Sequence, residues 1–410
     1  MSKIITHKDN ELKPTIVEHA GTDTIPKIYL GSAAVTEAGT WLVSFSRADE
    51  DRHGKIIPER VFVTRSTDQG QTWQPRHLVY DGKDKGARQA EMGQLIPVPG
   101  KSRIYMVSIR HTGFRFGRLV YTYSNDDGCT WLGPNGPNSA YDINVPPYTY
   151  APKGDGNHLM SKGIFMSNGE YMLPFSIATD PEQLDEIESE AVFMICDNLL
   201  TEDNPAKLNF KFYPAGKSGV RVPKANNANA SLAQEPHVVE MSNGTLMCTL
   251  RTGRGCIYYC TSNDFGRNWT EAKPLGFAEG GNQIPHPNAP CPFYRLRNGK
   301  YVLFHHNNNG SIHGADNVFD FRKNRRPLFI CIGRELPHCK TGTQPIMFTS
   351  PRFVRDSDGT PESILRTTEI SCYAGIIEDE RGVFFIHSNK WARLEAFKIP
   401  YNLLDDSCLY

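Results

Sequence analysis

Several short runs in this sequence carry side chains able to do chemistry. Tyr373 stands in Ser371-Cys372-Tyr373-Ala374-Gly375, and Glu235 in Gln234-Glu235-Pro236-His237-Val238. A phenol, with a pKa of about 10, is a poor nucleophile at neutral pH, but a carboxylate beside it can take its proton and activate it. Arg251, in Thr249-Leu250-Arg251-Thr252-Gly253, and Arg325, in Asn324-Arg325-Arg326-Pro327-Leu328, offer the planar fork that meets a carboxylate bidentately, with Arg322 and Arg326 as rivals to the second. The run Ser46-Arg47-Ala48-Asp49-Glu50-Asp51-Arg52-His53-Gly54 packs carboxylates beside cations and an imidazole, the groups used for proton transfer. His53, His111, His158 and His237 are further bases. Cys256 and Cys260 lie four apart on one strand face, but no Cys-x-x-Cys knuckle accompanies them, so no metal site and no cofactor is expected.

These runs are far apart, and a repeat shows how they can meet. The frame Ser-x-Asp-x-Gly-x-Thr/Asn-Trp occurs at Ser66–Trp73, Ser124–Trp131 and Ser262–Trp269, each time after a β-branched or aromatic run. Asp can bond the backbone two residues on, Gly supplies positive φ, and Trp drops back onto the sheet just left. Short strand-like runs separated by Gly, Asn and Pro turns fill the rest, with almost no 3.6-residue periodicity. This predicts an all-β fold of six blades of about 60 residues, a single β-propeller spanning residues 1–410. The third blade has no complete turn repeat, and Cys196-Asp197-Asn198 is at best a worn remnant of one. The last blade is one strand short, and Thr15-Ile16-Val17-Glu18-His19 is expected to supply it, closing the ring with the N-terminal segment.

Composition limits the partners. Lys+Arg and Asp+Glu number 45 each, so no global field attracts nucleic acid or an anionic membrane. No apolar run approaches the ~20 residues of a bilayer span, and the first residues lack a signal-peptide core, which predicts a chain without a membrane span and a cytoplasmic location as given. The ten cysteines are scattered through apolar runs and are expected to be buried free thiols.

The repeated turn resembles the Asp box of the sialidase superfamily. In that family an arginine triad grips a carboxylate, a Tyr-Glu pair supplies the nucleophile, and a loop Asp acts as acid. The resemblance implies Tyr373 as nucleophile, opening the inner strand of blade six, and Glu235 as its base, at the matching place in blade four. It implies Arg251 and Arg325 as two of the three arginines. It implies an acid in the 46–54 loop, with Asp51 the first choice and Asp49 the second, and Arg47 as a substrate contact. In blade one the family pattern Tyr/Phe-Arg-Ile-Pro is replaced by Ile25-Pro26-Lys27-Ile28-Tyr29, so Lys27 stands where the first arginine would and keeps the charge without the fork. Pro152-Lys153-Gly154-Asp155-Gly156-Asn157-His158 resembles the family's Gly-rich strand start, where glycine lets a sugar approach the backbone and His158 can meet a hydroxyl. His111, in Arg110-His111-Thr112-Gly113-Phe114-Arg115, is a candidate contact for a second sugar.

Three functions follow. The first is an exo-acting glycoside hydrolase releasing a terminal, acidic sugar through a Tyr/Glu nucleophile and an Asp acid. The second is a lyase that neutralises a uronate carboxylate with cations and removes the C5 proton with His or Tyr. The third is a propeller that binds glycan without catalysis, since the fold alone does not set function. All three have a glycan partner.

Overall fold

The computed structural model describes residues 14–19, 27–50, 56–87, 89–111, 117–154, 156–179, 183–337, 342–362 and 365–407. Six antiparallel sheets follow one another along the chain as the blades of a β-propeller. Their innermost strands are Ile28–Val35, Gln89–Pro97, the interrupted pair Asn157–Met160 and Ile164–Phe165, Gln234–Glu240, Phe293–Arg295 and Ile370–Asp379. The next strands outward include Trp41–Glu50, Ile104–His111, Tyr171–Ala178, Leu246–Arg251, Tyr301–His305 and Gly382–Asn389. Tyr171–Ala178 and Ser189–Cys196 are buried at every position. A blade is covered on both faces by its neighbours, so its strands read as continuous apolar runs and do not alternate.

The ring closes as the sequence predicts. Thr15–His19 pairs antiparallel with Arg393–Lys398 as the outer strand of blade six. Glu18 of that strand reaches Arg47 of blade one at 3.3 Å, so the closing strand is also tied sideways.

The three repeated turns share one hydrogen-bond plan. In the second, the Ser124 hydroxyl donates to Asp126 at 2.8 Å and accepts from Gly128 N–H at 2.9 Å, while Thr130 donates its N–H and hydroxyl to the two oxygens of Asp126 at 2.9 and 2.7 Å. Asn268 replaces threonine in the third turn and reaches Asp264 by its amide at 2.7 Å. Gly266 takes φ +80°, so the turn needs glycine for its conformation, with the mobile end of the Met172 side chain of the preceding blade packed beside it. Trp269 then stacks on Phe193 of that blade, centroids 4.1 Å apart. Blade three keeps more of this plan than Cys196-Asp197-Asn198 suggests. The Cys196 thiol lies 3.5 Å from Asn198 Oδ1, which accepts from Asn209 N–H at 2.9 Å, so cysteine and asparagine stand in for serine and aspartate.

Trp131 is 2% exposed and donates its indole N–H to Gly128 O at 3.2 Å. Trp131→Ala is expected to cost about 3–5 kcal/mol, as large-to-small changes of buried aromatics do, read as a lower urea midpoint with unchanged m-value.

Eight cysteines among the described residues are free, and all but Cys129 are buried. Among the described residues no cluster could hold a metal, and no helix is long and apolar enough to cross a membrane.

Candidate active site

Four of the inner strands break register near their first residues. The irregularity falls between Leu30 and Ser32, between Glu91 and Gln94, between Gln234 and His237, and between Ile370 and Ala374. Such bulges re-aim side chains that a regular pleat would send into the neighbouring blade. Met92, Glu235 and Ser371 pay for this with φ of +57°, +42° and +59°. The bent backbone is held from the adjacent blade by serines on second strands. Ser388 accepts from Leu30 N–H at 2.9 Å, Ser46 from Met92 N–H at 2.8 Å, and Ser176 from Glu235 N–H at 3.2 Å. A glutamate at φ +42° is strained, and the Ser176 bond is one of the contacts that over-determine it. Ser176→Ala is expected to cost only about 1 kcal/mol of stability but to lower kcat more than it raises KM, measured by steady-state kinetics beside urea unfolding.

The bulges bring Tyr373 and Glu235 together. The Tyr373 hydroxyl donates to Glu235 Oε1 at 3.2 Å, and Glu235 Oε2 receives Arg251 Nη1 at 2.9 Å. Burial, and then the negative charge of Glu235, push the Tyr373 phenol well above its ordinary pKa, so the ring waits protonated with its acceptor in place. Arg251 and Arg325 converge on one residue. Arg251 Nε donates to Asn288 Oδ1 at 2.7 Å, and Arg325 Nη2 donates to the Asn288 carbonyl at 2.7 Å. Arg325 also faces Glu369 at 3.2 Å, whose carboxyl is raised to about 7 by burial in spite of that guanidinium.

Lys27 joins this group. Its ammonium pairs with Glu59 at 2.9 Å and lies 4.9 Å from the Tyr29 ring centre and 5.0 Å from that of Trp391. Tyr29, Tyr373 and Trp391 pack mutually at 5.1–5.8 Å. The Tyr29 hydroxyl donates to Glu91, whose other oxygen meets His111 Nε2 at 2.7 Å. Burial opposes charge on both partners, yet their mutual attraction wins: Glu91 is brought down to about 2 and His111 is held above the ordinary imidazole value. His111 is thus the buried partner of a carboxylate, where the sequence suggested a contact for a second sugar.

The other expected site residues divide. Arg47 is buried, with Nε at 2.6 Å from Asp49 and Nη1 at 2.5 Å from the His19 carbonyl. Asp49 also receives Arg60. Both side chains therefore brace blade one against the closing strand. His237 is 6% exposed in the channel, where burial drives it to about 3 and keeps it neutral. Arg322 is exposed, and Arg326 is held bidentately by Asp356 at 2.8 Å, which leaves Arg325 as the arginine that reaches the centre. Asp51 and His53 lie outside the described residues. His158 opens the inner strand of blade three, and its side chain is likewise outside the description.

Tyr29, Glu91, Asn288, Glu369 and Trp391 were not foreseen. Tyr29 and Glu91 had a readable signal: each sits at the start of an inner strand, the register position of Tyr373 and Glu235. Asn288 and Glu369 lie outside the strands, where no periodicity points to them.

The sequence matches the BNR repeat-like domain over residues 59–339, and the chain belongs to that family. Solved structures agree on the fold. The Hadza microbial sialidase Hz136 superposes with a TM-score of 0.58 at 16% identity, covering 94% of this chain and 68% of that one. The intramolecular trans-sialidase from Ruminococcus gnavus gives 0.56 at 16% identity, with 93% and 97% covered, and the leech intramolecular trans-sialidase 0.60 at 14% identity, with 96% and 71% covered. No curated protein matches the sequence.

Proposed function

We propose that this chain is an exo-acting glycoside hydrolase that releases a terminal acidic sugar through a covalent tyrosyl intermediate. The observation that carries the reading is the Tyr373–Glu235–Arg251 chain, 3.2 and 2.9 Å in its two links. In this reading Tyr373 Oη bonds to the anomeric carbon as the glycosidic C–O bond breaks, and its proton passes to Glu235. Asp51 protonates the leaving oxygen and later activates the water that frees the sugar. Arg251, Arg325 and Lys27 gather cationic charge for the sugar's carboxylate. Lys27 lacks the bidentate fork, so the grip on a planar carboxylate is looser than an arginine triad would give. A cavity of about 300 Å³, lined by Lys224, Arg254, Asn317 and Phe319, adjoins Gly253 two residues beyond Arg251 and suits the rest of the glycan.

A second reading rests on the Tyr29–Glu91–His111 cluster, which packs on Tyr373 through a 5.5 Å ring contact. A Tyr and a His beside collected cations are also the parts of a uronate lyase. Incubation with sialylated and with uronate-containing oligosaccharides separates the two. A free reducing sugar without a new ultraviolet chromophore supports the hydrolase, whereas absorbance from a 4,5-unsaturated uronate supports the lyase. Turnover of neither class by the wild-type protein contradicts both.

A further inference from the structure

The central channel holds a second feature, independent of the chemistry at its mouth. In blade three the inner strand stops at Met160, opposite Phe175, and resumes at Ile164, opposite Met172. Three residues, Ser161, Lys162 and Gly163, therefore face two, and this bulge turns Lys162 into the channel. Lys162 lines both a throat of about 20 Å³ below Glu235 and Tyr373 and a cavity of about 410 Å³ beyond it. Residues lining that cavity include the half-buried Ile164 and Phe165 and the buried Val239, Phe293 and Ile376. Its charged groups are Lys162, Arg295, Arg297, Glu240 and Glu378. Both glutamates are engaged, Glu240 by Ser167 at 2.5 Å and Glu378 by Arg297 N–H at 2.9 Å.

The Lys162 ammonium donates to the Ala33 carbonyl at 3.2 Å, and among the described residues no carboxylate forms an ion pair with it. Burial lowers its pKa to about 8, with no neighbouring charge contributing. A cation held in a channel without an anionic partner is costly, and a bound anion relieves that cost. An ordinary inorganic anion would leave the apolar walls wet. A small organic carboxylate with an apolar body satisfies both parts, its charge on the ammonium and its body against the walls.

We infer that the wide cavity of the channel is a binding site for a small apolar carboxylate, anchored by Lys162. Phenylacetate and its uncharged isostere phenylacetamide test this by titration calorimetry and thermal melting of the full chain. Phenylacetate is expected to bind saturably and raise the melting temperature, and phenylacetamide to bind at least about tenfold more weakly. Lys162→Met should lose at least about tenfold in phenylacetate affinity. Ile164→Trp, which fills the cavity and keeps the ammonium, should lose as much, and it serves where Lys162→Met does not fold. Equal affinity for acid and amide, absence of saturable binding, or phenylacetate binding unchanged in both variants, which would place the ligand at the arginines instead, overturns the inference.

Discussion

Tyr373→Phe is expected to fold like the parent and to lose more than about 10³-fold in kcat on the best glycan substrate. The ring is retained, so its contacts with Tyr29 at 5.5 Å and Trp391 at 5.8 Å survive. What disappears is one hydrogen bond to Glu235, worth about 1 kcal/mol of stability, and the oxygen proposed as the nucleophile. The contrast between a small stability change and a large kinetic one separates a nucleophile from an aromatic that merely lines the channel. Glu235→Gln should lose about 10²–10⁴-fold, since an amide cannot take the phenol's proton. Steady-state kinetics alongside urea unfolding reads both effects, and a Tyr373→Phe enzyme with near-normal kcat would remove the phenol from the mechanism.

The second large effect is on Arg325. Arg325 is 4% exposed, and its guanidinium serves Glu369, Cys372 and the Asn288 carbonyl together. Arg325→Met leaves Glu369 buried without its ion-pair partner, and breaking a buried pair in this way costs about 3–5 kcal/mol. The cost depends on pH. Glu369 already titrates at about 7 in the folded protein, above its ordinary carboxylate value, so its contribution to stability is complete in acid and is lost as pH rises through 7. Without Arg325 the carboxyl rises further, so the unfolding free energy should go on falling to a higher pH. The variant is thus expected to be mildly destabilised at pH 5 and strongly at pH 8, in urea titrations at the two values. KM for an acidic glycan should rise as well, while a neutral glycoside should show no such penalty. Equal destabilisation at both pH values would contradict the buried-carboxyl account.

The fold was legible because its signals are local. Ser66–Trp73, Ser124–Trp131 and Ser262–Trp269 each carry a complete turn within eight residues, and the turn sets blade register. The closing strand at Thr15–His19 was readable from a missing fourth strand in blade six. The site was legible only in part, because it depends on which side of a bulge a residue falls. Tyr373 and Glu235 are expected from the family resemblance and their place at inner-strand starts, and the structure brings them within 3.2 Å of each other. Tyr29 and Glu91 are equally placed beside register breaks, but no motif in their own runs marks them. Arg47 and Asp49 illustrate the opposite error. A run dense in charge looks like an open loop, yet the structure folds Arg47 onto Asp49, Glu18 and the His19 carbonyl as a brace. Asn288 is invisible to pattern reading altogether, since its value lies in offering an amide to one arginine and a carbonyl to another.

The central claim is the covalent step on Tyr373, and trapping that intermediate tests it most directly. An acidic glycosyl fluoride carrying a second fluorine beside the anomeric carbon forms the glycosyl-enzyme quickly and releases it slowly. Intact mass spectrometry followed by peptide mapping is predicted to show one added sugar on the peptide containing Tyr373, and none in Tyr373→Phe. An adduct on another residue, or turnover of the natural glycan with no trapped adduct at all, would contradict the account.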